Sequence, residues 1–339
     1  MLLLTGATGL VGSELEPLLA AARPERRIVR LSRPEFDLAR PDLGIDDARL
    51  RELEAGVTEI VHCAADTRFQ LPLQEARIVN RDGTRRLLDL ARRCRRLEKF
   101  VHVSTVYVVG RAAGRFREAP LRHGAGFCNT YQQSKYEAEQ LVLEARREIP
   151  AAIVRLSSII GDSRTGRVRQ FNHVHQLLRL LPRNILPVAP GDPAARIDLI
   201  PSDWAARALA FLIDHAFVAG GVYHLCAGPE GSLTLGQMLD CTLEALPGPV
   251  KLPRLVSLRE YEQYVEKAVR AGDRLLNELL RVLGFFLPHL GLRQLFDNRR
   301  ARQALAGGRI ELPPIGSYYS KVVRYCVATD WGRAAVAGR

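Results

Sequence analysis

The chain is short of lysine, of aromatic residues and of long apolar runs, and each shortage argues against a class of function. Only five of its 49 basic residues are lysine (Lys99, Lys135, Lys251, Lys267, Lys321), so the formal net charge of +12 rests almost wholly on arginine. A coding bias produces such a one-sided exchange as readily as a binding surface does. Aromatic residues make up 6% of the chain, few for the stacking platforms of a nucleic-acid binder. The densest basic run, Arg92, Arg93, Arg95 and Arg96, ends a helical stretch, where cations suit the helix dipole. No nucleic acid is expected as a partner. The six cysteines are scattered, with no C-x-x-C pair and no His/Cys spacing suited to zinc, which predicts reduced thiols and no metal site. The opening Met1-Leu2-Leu3-Leu4-Thr5-Gly6 has neither the basic nor the apolar region of a secretory leader, so a cytoplasmic location is expected. The most apolar late stretch, Leu279 to Leu292, is broken by Arg281, Pro288 and His289 and is too short to cross roughly 30 Å of hydrocarbon. It is compatible with peripheral membrane contact, not with a transmembrane span. Nothing in the sequence fixes an oligomeric state.

What is present is an ordinary globular balance, 47% hydrophobic and 25% charged over 339 residues, enough to bury a full core. Short, nearly all-apolar runs alternate with longer amphipathic ones. The strand candidates are Leu2 to Leu4, Arg27 to Leu31, Glu59 to Ala64, Phe100 to Ser104, Ala152 to Ser157 and Val222 to Cys226. Strands this apolar are buried on both faces, as in a parallel sheet. Between them, Gln74 to Cys94 and Tyr131 to Arg147 carry helical spacing. The fold class is therefore α/β, a doubly wound parallel sheet of the Rossmann type, with a smaller, mainly helical C-terminal lobe over the substrate. Residues 1–226 are assigned to the core, with 160–197 contributing to the lobe, and 227–339 to the lobe itself.

Gly6, Gly9 and Gly12 stand at G-x-x-G-x-x-G spacing between the first strand and a Leu/Ala-rich helix. The first glycine permits a tight turn, the second lets backbone N–H groups approach a pyrophosphate, and the third lets helix and strand pack closely. This predicts a dinucleotide cradle formed by Gly6, Thr8, Gly9, Leu10, Val11 and Gly12. The choice of dinucleotide depends on the end of the second strand, Leu31-Ser32-Arg33. Arg33 suits the 2′-phosphate of NADP, whereas the nearby Glu35 and Asp37 leave NAD open.

Tyr131 and Lys135 lie four residues apart at the start of a helix, one turn apart on one face. A cation there is expected to lower the phenol pKa, so that Tyr131 can protonate a carbonyl oxygen as it receives hydride, while Lys135 also holds the nicotinamide ribose. A third member of the set, a hydroxyl, belongs at the C-terminal end of a strand, and Thr105 fills that place, with Ser104 as the alternate one register away. His102 reads as a satisfied core histidine, and Cys128 as a small packing residue rather than a nucleophile.

With the glycine loop, the Thr105 strand end and the Tyr131/Lys135 pair in place, the chain resembles an extended short-chain dehydrogenase/reductase. His62-Cys63-Ala64-Ala65-Asp66-Thr67-Arg68-Phe69, Asn80-Arg81-Asp82-Gly83-Thr84, Gly161-Asp162-Ser163-Arg164-Thr165-Gly166 and Asp198-Leu199-Ile200-Pro201-Ser202-Asp203 make it most similar to the male-sterility or thioester-reductase branch, which includes fatty acyl-CoA reductases. The resemblance covers residues 1 to 226. It implies reduction of an acyl thioester, on CoA or on a separate carrier protein, to aldehyde or alcohol with an NAD(P)H cofactor. The alternatives are a ketone/alcohol oxidoreductase, a nucleotide-sugar epimerase and a dinucleotide-binding sensor without catalysis. It further implies that Asp37 and Leu38 meet the adenine, that Ala64 and Ala65 line the cofactor, that Asn80 supports the site, and that Ser104, Asp162 and Ser163 face the substrate. One departure stands out: only Pro34-Glu35-Phe36 separates Arg33 from Asp37-Leu38, where the branch usually places a helix and a strand.

Overall fold

In the computed structural model, which describes residues 1–185, 187–271, 284 and 287–333, the six apolar runs form six strands: β1 (Leu2–Thr5), β2 (Ile28–Leu31), β3 (Glu59–His62), β4 (Lys99–Thr105), β5 (Ala151–Leu156) and β6 (Val222–Leu225). They lie in one sheet in the order β2-β1-β3-β4-β5-β6, and every neighbouring pair is parallel. Alternating side chains supply two cores. Leu2, Leu4, Val61, Val101, Val103 and Val154 pack with helices α1 (Gly12–Ala22) and α6 (Ser202–Asp214) on one face. Leu3, Ile60, Phe100 and Ile153 pack on the other with α2 (Asp47–Gly56), α3 (Gly83–Arg93) and α4 (Thr130–Ala145). Strand order reverses between β1 and β3, which opens the crevice at the C-terminal strand ends where such sheets bind ligands.

Beyond β5 the chain builds a second layer. Helices α5 (His173–Leu180), α7 (Leu235–Ala245) and α10 (Tyr319–Ala328) share a third apolar cluster. Short ladders tie the layer together, 188–190 beside 254–256 and 196–197 against 233–234. Helix α8 (Leu258–Ala271) packs Tyr261 and Ala268 against Ala189 and Val256.

Two features depart from the sequence reading. Gln294–Phe296 forms a strand parallel to Gly114–Phe116, and α9 (Arg299–Ala306) sends Ala301 and Leu305 into the core beside β6 and α6. The segment 294–306 thus belongs with the sheet rather than with a separate lobe after residue 226. Its physical role is to cover β6, whose outer edge would otherwise expose backbone polar groups. The Glu118 carboxylate accepts from the backbone N–H groups of His224, Arg300 and Ala301. Asn298 Nδ2 donates to the Cys226 carbonyl at 2.8 Å. Half of the stretch 279–292, read as a membrane contact, lies outside the described residues. Among those described, no helix is long and apolar enough to cross a membrane.

Candidate active site

The glycine loop meets its steric requirement. Gly6 has φ +72°, and a Cβ there would stand 2.6 Å from the Ala64 nitrogen; one on Gly12 would stand 2.1 Å from the Gly6 carbonyl oxygen. Both positions therefore exclude any side chain. At Gly9 a Cβ would meet, among the described residues, only the Gly6 oxygen, at a tight 3.3 Å, so a methyl there requires a small shift of that carbonyl but not the rebuilding that Gly6 and Gly12 would need. Thr8 is exposed above it, and Leu10 and Val11 lean on the core. Helix α1 starts with no side-chain cap, leaving N–H groups free for an anion. The residues present fit a dinucleotide cradle.

Across the crevice, the Thr5 hydroxyl at the end of β1 accepts from Ala64 N at 3.2 Å, which places Ala64 and Ala65 beside the loop. Asn80 sits on a π turn, Ile78–Asp82, a local widening common at functional sites. Its amide accepts from Asp66 N (2.7 Å) and donates to Asp66 O and Ser134 Oγ (both 2.9 Å). Asn80 thereby joins the chain after β3 to the helix that carries Tyr131.

Helix α4 is started by Asn129, whose side chain accepts from Gln132 N at 3.0 Å. Tyr131, Lys135 and Glu139 follow along one stripe. The Tyr131 phenol faces the Thr105 hydroxyl, and burial, outweighing the opposing effect of that hydroxyl, pushes its pKa up to about 12. Lys135 lies beneath it, 2% exposed, donating to the Val103 carbonyl at 2.9 Å and standing 3.4 Å from His102 Nε2. Burial draws its pKa down to about 8. The expectation that Lys135 lowers the Tyr131 pKa is therefore corrected. The lysine bonds to the strand below, desolvation dominates both groups, and the phenol stays protonated as a donor.

Other expected positions separate. Thr105, which also accepts from Tyr107 N at 3.2 Å, reaches Tyr131. Ser104 turns to the opposite strand face, its Oγ buried and without a hydrogen-bond partner among the described residues. Asp162 is engaged within its own loop and Ser163 with Asp203 of α6, and neither lines the cleft. The Asp162 carboxylate closes a turn on Arg164 N, Thr165 N and the Thr165 hydroxyl, while Ser163 donates twice to Asp203. Leu38 is core, packed under Gly83, and Asp37 closes a turn on Ala39 N at 2.9 Å. The shortened Pro34-Glu35-Phe36 connection explains this, because burying Phe36 and Leu38 in one core leaves the carboxylate to its own loop. Arg33 is exposed at the end of β2.

Sequence reasoning missed the wall above the pair. Phe69 stacks on Tyr131 with ring centroids 5.4 Å apart and meets His173 at 5.2 Å. His173 opens onto a cleft lined by Leu177, Leu178, Leu181, Met238, Leu239 and Leu255. Tyr107 and Ser158, 3.0 Å apart between oxygens, mark its polar end. No local motif announces these residues, since six separate segments supply them. Burial pushes the Cys128 thiol up to about 11, which leaves it inert. Among the described residues, no three His, Cys, Asp or Glu side chains gather into a metal site.

The family model described as male sterility protein matches residues 30–209, more than half of the chain. The chain belongs to the male sterility protein family. This is an NAD(P)-binding branch of the extended short-chain dehydrogenase/reductases, and its enzyme class is oxidoreductase. Within the family's wider reach, an isonitrile lipopeptide synthase of Streptomyces coeruleorubidus is 31% identical over 243 residues, covering 62% of this chain and 16% of that protein. Probable fatty acyl-CoA reductase 5 of Arabidopsis thaliana is 23% identical over 261 residues, covering 60% of this chain and 52% of that protein. The chain thus spans a small part of the synthase and about half of the reductase. The terminal R domain of the myxalamid PKS-NRPS pathway has a TM-score of 0.80 at 26% identity, covering 98% of this chain and 92% of that one.

Proposed function

We propose that this member of the male sterility protein family reduces an acyl thioester, delivered on CoA or a carrier protein, to aldehyde or alcohol. The observation that carries the reading is the Tyr131–Thr105 hydroxyl pair beside an apolar cleft built from leucine and methionine. Gly6, Gly9 and Gly12 hold the dinucleotide, with Ala64, Ala65 and the Asn80 brace on the facing side and Arg33 against a 2′-phosphate, so that NADP is the cofactor. Arg33 is exposed there and makes no ion pair among the described residues. When bound, the reduced dinucleotide supplies the hydride. Tyr131 donates its proton to the thioester oxygen while Thr105 donates a hydrogen bond to it. The resulting hemithioacetal collapses as its C–S bond breaks, its hydroxyl proton leaving with the thiol, and gives the aldehyde. A second hydride and proton give the alcohol. Lys135 holds the nicotinamide ribose.

The test supplies NADPH with a panel of acyl-CoA and acyl-pantetheine thioesters and follows nicotinamide absorbance. Tyr131→Phe should lower kcat by about 10²- to 10⁴-fold while dinucleotide binding persists. Turnover of ketones without any thioester activity would overturn the substrate class, and full activity in Tyr131→Phe would overturn the assigned donor.

A further inference from the structure

We propose that His102 is a positioning residue for Lys135: its imidazole accepts a hydrogen bond from the lysine ammonium and, with the Val103 carbonyl, fixes where that ammonium stands under the dinucleotide. The functional part of this rests on the reading of Lys135 as the cofactor-side cation.

His102 lies on β4, three residues before Thr105, and is 0% exposed. Its Nε2 is 3.4 Å from Lys135 Nζ, and the Val103 carbonyl is 2.9 Å from the same nitrogen. Among the described residues these two acceptors take the ammonium's downward hydrogens, leaving one to point toward the crevice. To accept, Nε2 must be unprotonated, which puts the ring proton on Nδ1. That Nδ1 is buried and has no partner among the described residues. A buried donor left unmatched is costly. A leucine would fill the space without that cost, so packing alone does not account for an imidazole here.

The surroundings isolate the pair. From β3, His62 faces His102 in register, with ring centroids 5.3 Å apart. Both His62 nitrogens are occupied, Nδ1 by the Thr5 hydroxyl at 2.8 Å and Nε2 by Thr84 Oγ1 at 2.9 Å, so it offers the ammonium nothing. Burial holds His62 neutral, with its pKa down at about 3, and pushes the neighbouring Cys63 thiol up to about 12. Burial and the Lys135 charge hold His102 neutral as well. On α4 itself, Glu139 is the nearest acid along the stripe, but its carboxylate is bound by Arg155 of β5. His102 is therefore the side chain placed to accept from Lys135.

With only five lysines in the chain, the titration of each can be followed by NMR of ¹³Cε-labelled lysine in the full-length protein without ligand. Lys135 should show the lowest midpoint of the five. In His102→Leu that midpoint should fall by about one pH unit, the value of one hydrogen bond to the charged form, and His102→Gln, which keeps an acceptor, should restore most of the shift. With substrate, the alkaline limb of kcat/KM should move down with it, and KM for the dinucleotide should rise more than kcat falls. In the wild type, ¹⁵N spectra should show the Nδ1–H tautomer at His102. An unchanged Lys135 midpoint in folded His102→Leu, or an Nε2–H tautomer in the wild type, overturns the proposal. If His102→Leu does not fold, the tautomer decides alone. The lysine titration and the tautomer need no turnover, so absence of thioester reduction would overturn the functional reading and leave the His102–Lys135 contact judged on its own data.

Discussion

Glu139→Leu removes half of an ion pair that has no access to water, since Arg155 is 1% exposed and Glu139 0%. The guanidinium grips the carboxylate at two points, Nε to Oε1 at 2.9 Å and Nη2 to Oε2 at 2.7 Å. Without Glu139 it keeps only the Ala119 carbonyl at 3.2 Å and His224 Nε2 at 3.1 Å, neither of them charged against it. Leaving one charge of a buried pair uncompensated costs about 3–5 kcal/mol. With an unfolding entropy of about 2.1 cal/mol/K per residue over 339 residues, Tm should fall by roughly 4–7 °C, read by calorimetry. The double variant Glu139→Leu/Arg155→Met removes both charges and should recover most of the loss, because apolar replacement of a whole buried pair is often neutral. The reasoning is refuted if the single variant melts within about 1 °C of the wild type, or if the double variant is less stable than the single one. Lys135 stands one turn from Glu139, and that carboxylate favours its charged form. The single variant should therefore also lose activity at lower pH than the wild type.

Further outcomes follow from the same geometry. Burial depresses the pKa of His62 and of His224 to about 3, so the unfolded chain binds the extra protons. Stability present above about pH 6.5 should be lost on acidification, by roughly 1.4 kcal/mol per pH unit for each histidine, and urea midpoints between about pH 7 and 5 would check it; a flat profile would contradict neutral buried rings. Gly12→Ala, whose Cβ would meet the Gly6 oxygen at 2.1 Å, should unfold or misfold the loop. Gly9→Ala should fold normally and bind dinucleotide more weakly, as calorimetric titration would show. Leu177→Trp, placed in the apolar cleft, should cut kcat/KM for long acyl thioesters more than for short ones, and equal losses across chain lengths would remove the cleft from the acyl path.

The sheet was legible because parallel strands buried on both faces read as short unbroken apolar runs, and all six candidate runs became its six strands. The glycine loop was legible because its constraint is local: Gly6 and Gly12 are forced by atoms a few residues or one strand away. Spacing placed Tyr131 and Lys135 on one helical stripe but not the direction of the lysine, which runs down to the Val103 carbonyl rather than across to the phenol. His102 likewise read as a satisfied core residue, whereas one of its nitrogens faces the lysine and the other has no partner among the described residues. Asp37, Leu38, Asp162 and Ser163 were assigned through motif similarity, and a shortened connection and a self-closed turn direct them elsewhere. The cleft was illegible for a different reason. Phe69, Tyr107, His173 and Met238 come from separate segments, and no periodicity connects them.

The cover over β6 has a consequence for assembly. A parallel sheet ends in two rows of unmet backbone groups, each a template on which another chain can add a strand. On the β6 side the row is interrupted by the Glu118 carboxylate and the Asn298 amide, which hold the N–H of His224 and the carbonyl of Cys226. On the β2 side Arg27 and Arg30 extend into solvent, paired with Glu52 and Glu16. Partners that add to this protein by extending its central sheet are thus disfavoured at both ends, and a chain cut before residue 294 would expose a sticky margin on a sheet that is otherwise intact.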